Sequence, residues 1–91
     1  MKLIRISTIY CMSCIFMNEV LKKIEKKYSV LYKIQDLDYD NNQEEISKYN
    51  IGTVLPVYIL LDENSKEIDR LIGEKSKSEL EQFLIKNGAI K

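Results

Sequence analysis

Apolar and polar residues alternate along this chain in two periods, and the switch between them divides it into elements. Residues 2–9, KLIRISTI, are rich in isoleucine and leucine and predict a buried strand. From residue 14 the period lengthens. Cys14, Met17, Leu21, Ile24 and Tyr28 recur at steps of three and four, which draws one apolar face along a helix of about four turns. VLYKIQDL (30–37) predicts a second strand. NNQEEISKYN (41–50) predicts a short helix, with Asn42 as its cap and Ile46 and Tyr49 turned inward. PVYILLD (56–62) is apolar without interruption, as expected of a strand buried on both faces. After the turn ENSK, EIDRLI (67–72) predicts a fourth strand whose Asp69 and Arg70 suit a sheet edge. Ser76 and Glu79 have the spacing of a capping box, and Leu80, Phe83 and Leu84 line the helix that follows. Gly88 stands where a helix C-terminus favours a left-handed residue.

The order is therefore β-α-β-α-β-β-α in an α/β fold. A right-handed helical crossover makes the first two strands parallel, and the final hairpin adds antiparallel ones. A four-stranded mixed sheet with helices on both faces results. With 91 residues and no repeat or linker, positions 1–91 are expected to form one domain.

Charge narrows the function classes. Fourteen basic residues balance fourteen acidic ones, and there is no histidine. That balance removes the overall field on which non-specific nucleic-acid binding relies, so no nucleic-acid partner is expected. The basic tetrad Lys22, Lys23, Lys26 and Lys27 reads as a solvated helix face, with Glu19 placed to pair with it. MKLIRI is too short an apolar run, broken at Arg5, for a signal-peptide core, and no later stretch could span a bilayer. A cytoplasmic protein without membrane contact is the expectation. In that compartment a Cys-x-x-Cys pair points to catalysis or metal rather than to a structural bridge.

The two cysteines, Cys11 and Cys14, bracket Met12 and Ser13 where the first strand meets the first helix. Three chemistries fit them: a redox couple, half a metal site, or two small side chains packed in a core. Residues i and i+3 in a first helical turn lie about 5–6 Å apart, which suits a disulfide. The first helical N–H groups have no partner within the helix and point towards Cys11. A helix N-terminus favours an anionic sulfur by ~1–2 kcal/mol in a favourable, partly buried geometry. A stabilised thiolate is also a weaker nucleophile but a better leaving group, so the terminus tunes the direction of electron flow more than its speed.

Taken with these cysteines, KYNIGTVLPVYILLD and EIDRLIGE followed by a capped helix resemble the thioredoxin-fold family along essentially the whole chain. The resemblance implies a thiol–disulfide oxidoreductase in which Cys11 is the nucleophile and Cys14 the resolving thiol. It implies that Pro56, the only proline, is cis and lies against the cysteine pair. It implies further that the backbone of Leu55 pairs with the substrate chain and that Gly73 keeps the groove rim low. Tyr10 and Met12, beside the first cysteine, complete the substrate-binding set. No cofactor and no metal are implied. The expected partners are protein disulfides and a reductase or glutathione, with the protein acting as a monomer.

The chain departs from thioredoxin itself in several places. Met12-Ser13 replaces Gly-Pro between the cysteines, tryptophan is absent, and the family's extra N-terminal strand and helix have no counterpart. Arg5 stands near the place of the family's buried acid. Two further readings use the same cysteines. One is a glutaredoxin-like enzyme acting on glutathione mixed disulfides, since TVLPVYI is similar to that group's Thr-Val-Pro segment with one residue inserted. The other is a copper-carrier module, with Met12 and Met17 nearby. Against the second, QEEISKY intervenes where that fold would continue into a hairpin, and Met17 falls on the helix's apolar face. A zinc site would need two further ligands from another chain.

Overall fold

In the computed structural model, which describes residues Met1–Lys91, the chain runs β1 (Lys2–Ser7), α1 (Met12–Lys27), β2 (Lys33–Asp38), α2 (Gln43–Ile46), β3 (Val57–Leu61), β4 (Glu67–Ile72) and α3 (Lys77–Lys86). A 3₁₀ turn at Ser47–Tyr49 extends α2. The sheet order is β2-β1-β3-β4. β1 lies parallel to β2, with Arg5 opposite Asp36, and antiparallel to β3, with Ile6 opposite Val57. β4 pairs only with β3 and forms one edge.

Alternation along the strands divides the core into two. Leu3, Tyr58 and Leu60 face α1 and α3, where they pack with Met17, Leu21, Ile24, Leu80, Phe83 and Leu84. Ile4, Ile6, Val57, Ile59 and Leu61 face the other way and meet Leu37 and Ile46 of the short helix. Every residue of β3 is buried, as its unbroken apolar run requires of a central strand covered on both faces. α3 begins on a complete capping box. Ser76 accepts from the Glu79 N–H at 3.1 Å, and Glu79 accepts from the Ser76 N–H at 3.3 Å. Gly88 ends it at φ +69°. The lysine tetrad is exposed, and Lys22 pairs with Glu19 at 3.6 Å.

Two boundaries and one cap differ from the sequence pattern. β1 stops at Ser7 instead of running to residue 9, because the chain turns there: the Cys11 N–H donates to the Thr8 carbonyl at 3.2 Å. β2 begins at Lys33 because residues 29–31 pair elsewhere. The Ser29 and Leu31 N–H groups donate to the carbonyls of Lys91 and Ala89 near the C-terminus. Asn42 occupies the cap position of α2 but leaves its N–H groups uncapped. Its side-chain oxygen instead accepts from the Asp38 N–H at 2.8 Å and closes the preceding loop. No helix is long and apolar enough to cross a membrane.

Candidate active site

The cysteine pair forms at one end of the sheet. β1 delivers its chain there, β3 starts there after Pro56, and β4 leaves there into Gly73. Cys11 is the N-cap residue of α1, with extended backbone (φ −106°, ψ 112°). Where serine or aspartate would ordinarily cap with oxygen, the Cys11 sulfur accepts from the Cys14 N–H at 3.2 Å. An otherwise unpartnered amide at the positive end of the helix is thus spent on this sulfur.

The two thiols occupy different environments. Cys11 is half-buried, whereas Cys14 is only 1% exposed, on the inward face of α1 one turn above Met17. Burial, chiefly, pushes the Cys14 thiol up to about 11, and the adjoining Cys11 sulfur adds to the shift. The backbone of Thr8 partly offsets it. Both thiols are free. Met17, the sulfur considered for metal, is wholly buried in the core and accepts from the Lys75 N–H at 3.4 Å.

Around the pair, the residues assigned to substrate binding fall into two groups. Leu55 and Pro56 join by a cis peptide bond. Pro56 is buried, and its carbonyl accepts from the Gly73 N–H at 2.8 Å, which ties the start of β3 to the end of β4. Gly73 has φ +87°, and a Cβ there would meet Val54 Cγ1 at 3.2 Å. Tyr10 and Met12 stand apart from these contacts and project into solvent, 83% and 78% exposed.

Features of this end that the sequence pattern did not announce are Ile9, Val54, Ser13 and Thr8. Ile9 and Val54 are 77% and 57% exposed, and Val54 lies against Gly73. Ser13, between the cysteines, donates to Glu74 Oε1 at 2.6 Å. Thr8 donates to Asp40 Oδ2 at 2.8 Å. The only available signals are that Val54 is apolar in a connecting segment and that Ile9 extends the apolar run of the first predicted strand.

Beneath the site, Arg5 takes a role opposite in charge to an acid. Its guanidinium donates to both carboxylate oxygens of Asp36, from Nε at 2.6 Å and Nη2 at 3.0 Å. Its strand partner Tyr58 is fully buried, and the hydroxyl has no hydrogen-bond partner. Burial pushes that phenol up to about 12, while the neighbouring Arg5 cation lowers it.

Residues 1–86 match the family model of thioredoxin. Among solved structures, the chain is similar to the reduced thioredoxin pre-protein of Schistosoma mansoni, at 23% identity and a TM-score of 0.75, over 92% of this chain and 75% of that one. A mutant thioredoxin from Halobacterium salinarum gives 16% identity and a TM-score of 0.77, covering 93% and 72% of the two chains. Thioredoxin-2 of a malaria parasite, described as a component of its protein secretion machinery, gives 23% and 0.75, covering 93% and 82%. At these identities the structural likeness speaks for the fold.

Proposed function

The chain belongs to the thioredoxin family and carries the Cys-x-x-Cys pair of a thiol–disulfide oxidoreductase, and we propose that Cys11 attacks substrate disulfides while Cys14 resolves the product. The observation that carries this division is the single hydrogen bond from the Cys14 N–H to the Cys11 sulfur, across a pair in which only Cys11 reaches solvent.

The steps follow from that asymmetry. The Cys11 thiolate attacks one sulfur of a substrate disulfide. The substrate S–S bond breaks, and its second sulfur leaves with the electron pair and takes a proton from water. A mixed disulfide now caps Cys11. Two of the influences that hold up the Cys14 proton, the Cys11 hydrogen bond and the Cys11 charge, end with that capping. Cys14 then loses its proton and attacks the Cys11 sulfur. The Cys11–Cys14 bond forms, and the remaining substrate sulfur leaves as a thiolate. Two electrons have passed from the dithiol to the substrate, and the protons exchange through water.

The exposed apolar side chains Ile9, Tyr10, Met12 and Val54 support a protein as the substrate, bound with Leu55, Pro56 and Gly73 as the groove floor and rim. A reductase or glutathione would return the oxidised pair to the dithiol in a monomeric, cytoplasmic protein. The test is turnover of a protein disulfide with dithiothreitol as donor. Wild type should reduce it catalytically, and Cys11→Ser should reduce none above background. Equal rates with and without the protein would refute the assignment.

A further inference from the structure

Two carboxylates accept hydrogen bonds from residues beside the cysteine pair. Glu74 directly follows the groove residue Gly73, and its Oε1 accepts from Ser13 between the cysteines at 2.6 Å. Asp40 lies in the loop after β2, and its Oδ2 accepts from Thr8 at 2.8 Å. Thr8 is itself part of the site, since its carbonyl takes the Cys11 N–H at 3.2 Å and its backbone bears on the Cys14 thiol. Both carboxylates are exposed.

Neither is neutralised. Six of the fourteen acids lie in salt bridges, and Asp40 and Glu74 are among the eight with no cation within bridging distance. The chain as a whole carries no net charge. Two unpaired carboxylates therefore lie beside the residues that flank Cys11. The apolar Ile9, Tyr10 and Met12, near Cys11 in the chain, are exposed as well.

We propose that Asp40 and Glu74 set substrate choice, favouring protein disulfides with basic flanks and disfavouring acidic disulfides such as those of glutathione. This rests on Cys11 being the attacking thiol. A γ-glutamyl tripeptide brings two carboxylates and one ammonium to the attacked sulfur, so its net negative charge meets two rim charges of like sign. A disulfide flanked by lysine or arginine meets two of opposite sign. Acids on the rim act mainly on encounter, and salt screens them.

Two cyclic peptides with the same cysteine pair, one flanked by lysines and the other by glutamates, provide the test. Each oxidises the reduced protein while its own disulfide becomes a dithiol, so rapid quenching by alkylation and mass measurement gives both rates. At low salt, wild type should react faster with the lysine peptide by about tenfold, the low end of what a cleft of one sign contributes. The double variant Asp40→Asn/Glu74→Gln keeps an oxygen to accept from Thr8 and Ser13, so the loops retain these bonds. It should lose most of the preference by slowing with the lysine peptide and speeding up with the glutamate one, and high salt should do the same to wild type. No preference in wild type, or one that survives both changes, overturns the proposal. Failure of wild type to react with either peptide would instead overturn the reading of Cys11 on which it rests.

Discussion

The backbone N–H of Cys14 donates to the sulfur of Cys11 at 3.2 Å, so the buried cysteine lends its amide to the half-buried one while its own thiol stays covered. One helical turn thereby creates two sulfurs with unequal access. Limited alkylation of the reduced protein at neutral pH should modify Cys11 at least tenfold faster than Cys14, read by peptide mass. Cys14 is disfavoured twice, by burial to 1% exposure and by a thiol pushed up to about 11. Equal labelling of both would show that the burial does not persist in solution.

Alkali should destabilise the reduced protein. Burial, first among the causes in each case, raises Cys14 from 9.0 to about 11 and Tyr58 from 10.0 to about 12. Tyr32, buried with its hydroxyl donating to Glu25, shifts the same way. The unfolded chain releases these protons at lower pH than the folded one. The stability they contribute is complete below about pH 9 and drains away as pH rises through the folded values. Urea midpoints from neutrality to about pH 11 should fall more for the dithiol than for the disulfide form, which has no Cys14 proton to release. Identical slopes for the two forms would count against a raised Cys14.

Tyr58→Phe should leave stability unchanged or raise it by about 1 kcal/mol. The substitution removes only a buried hydroxyl that has no partner, and burying an unsatisfied polar group costs roughly 1–3 kcal/mol. A loss of stability on chemical denaturation would mean that the hydroxyl is bonded in solution.

Gly73→Ala should cost about 1–2 kcal/mol, because φ +87° is a conformation that L side chains rarely adopt and the added Cβ would press on Val54 Cγ1 at 3.2 Å. Since Gly73 is bonded to the Pro56 carbonyl, the shift should also disturb the proposed substrate groove and raise KM for a protein disulfide. Stability and KM both unchanged would remove Gly73 from the groove rim.

Much of this fold is legible in the order of its residues. The five buried positions of β3 leave no polar residue to be misassigned, and Ser76 with Glu79 marks the start of α3 through a local bond pair. Legibility fails where partners lie far apart in the chain. Val30 bridges Ile90, so a strand-like segment leaves β2 for the C-terminus. Ile9 continues an apolar run yet is exposed, because the chain turns at Thr8 to set Cys11 on the helix terminus. The cysteines themselves were plain from their spacing. Their acidic flanks were not, since Ser13–Glu74 and Thr8–Asp40 join residues 61 and 32 positions apart and follow no period.

The division of labour between the two sulfurs is tested most directly by mixing single-cysteine variants with a disulfide-bonded protein and resolving the products on a non-reducing gel, with mass measurement of the adducts. Cys14→Ser should accumulate a covalent mixed disulfide through Cys11 and lose disulfide-reducing turnover. Cys11→Ser should trap almost nothing, because the remaining sulfur is buried. Equal trapping by both variants, or by neither, would contradict the account.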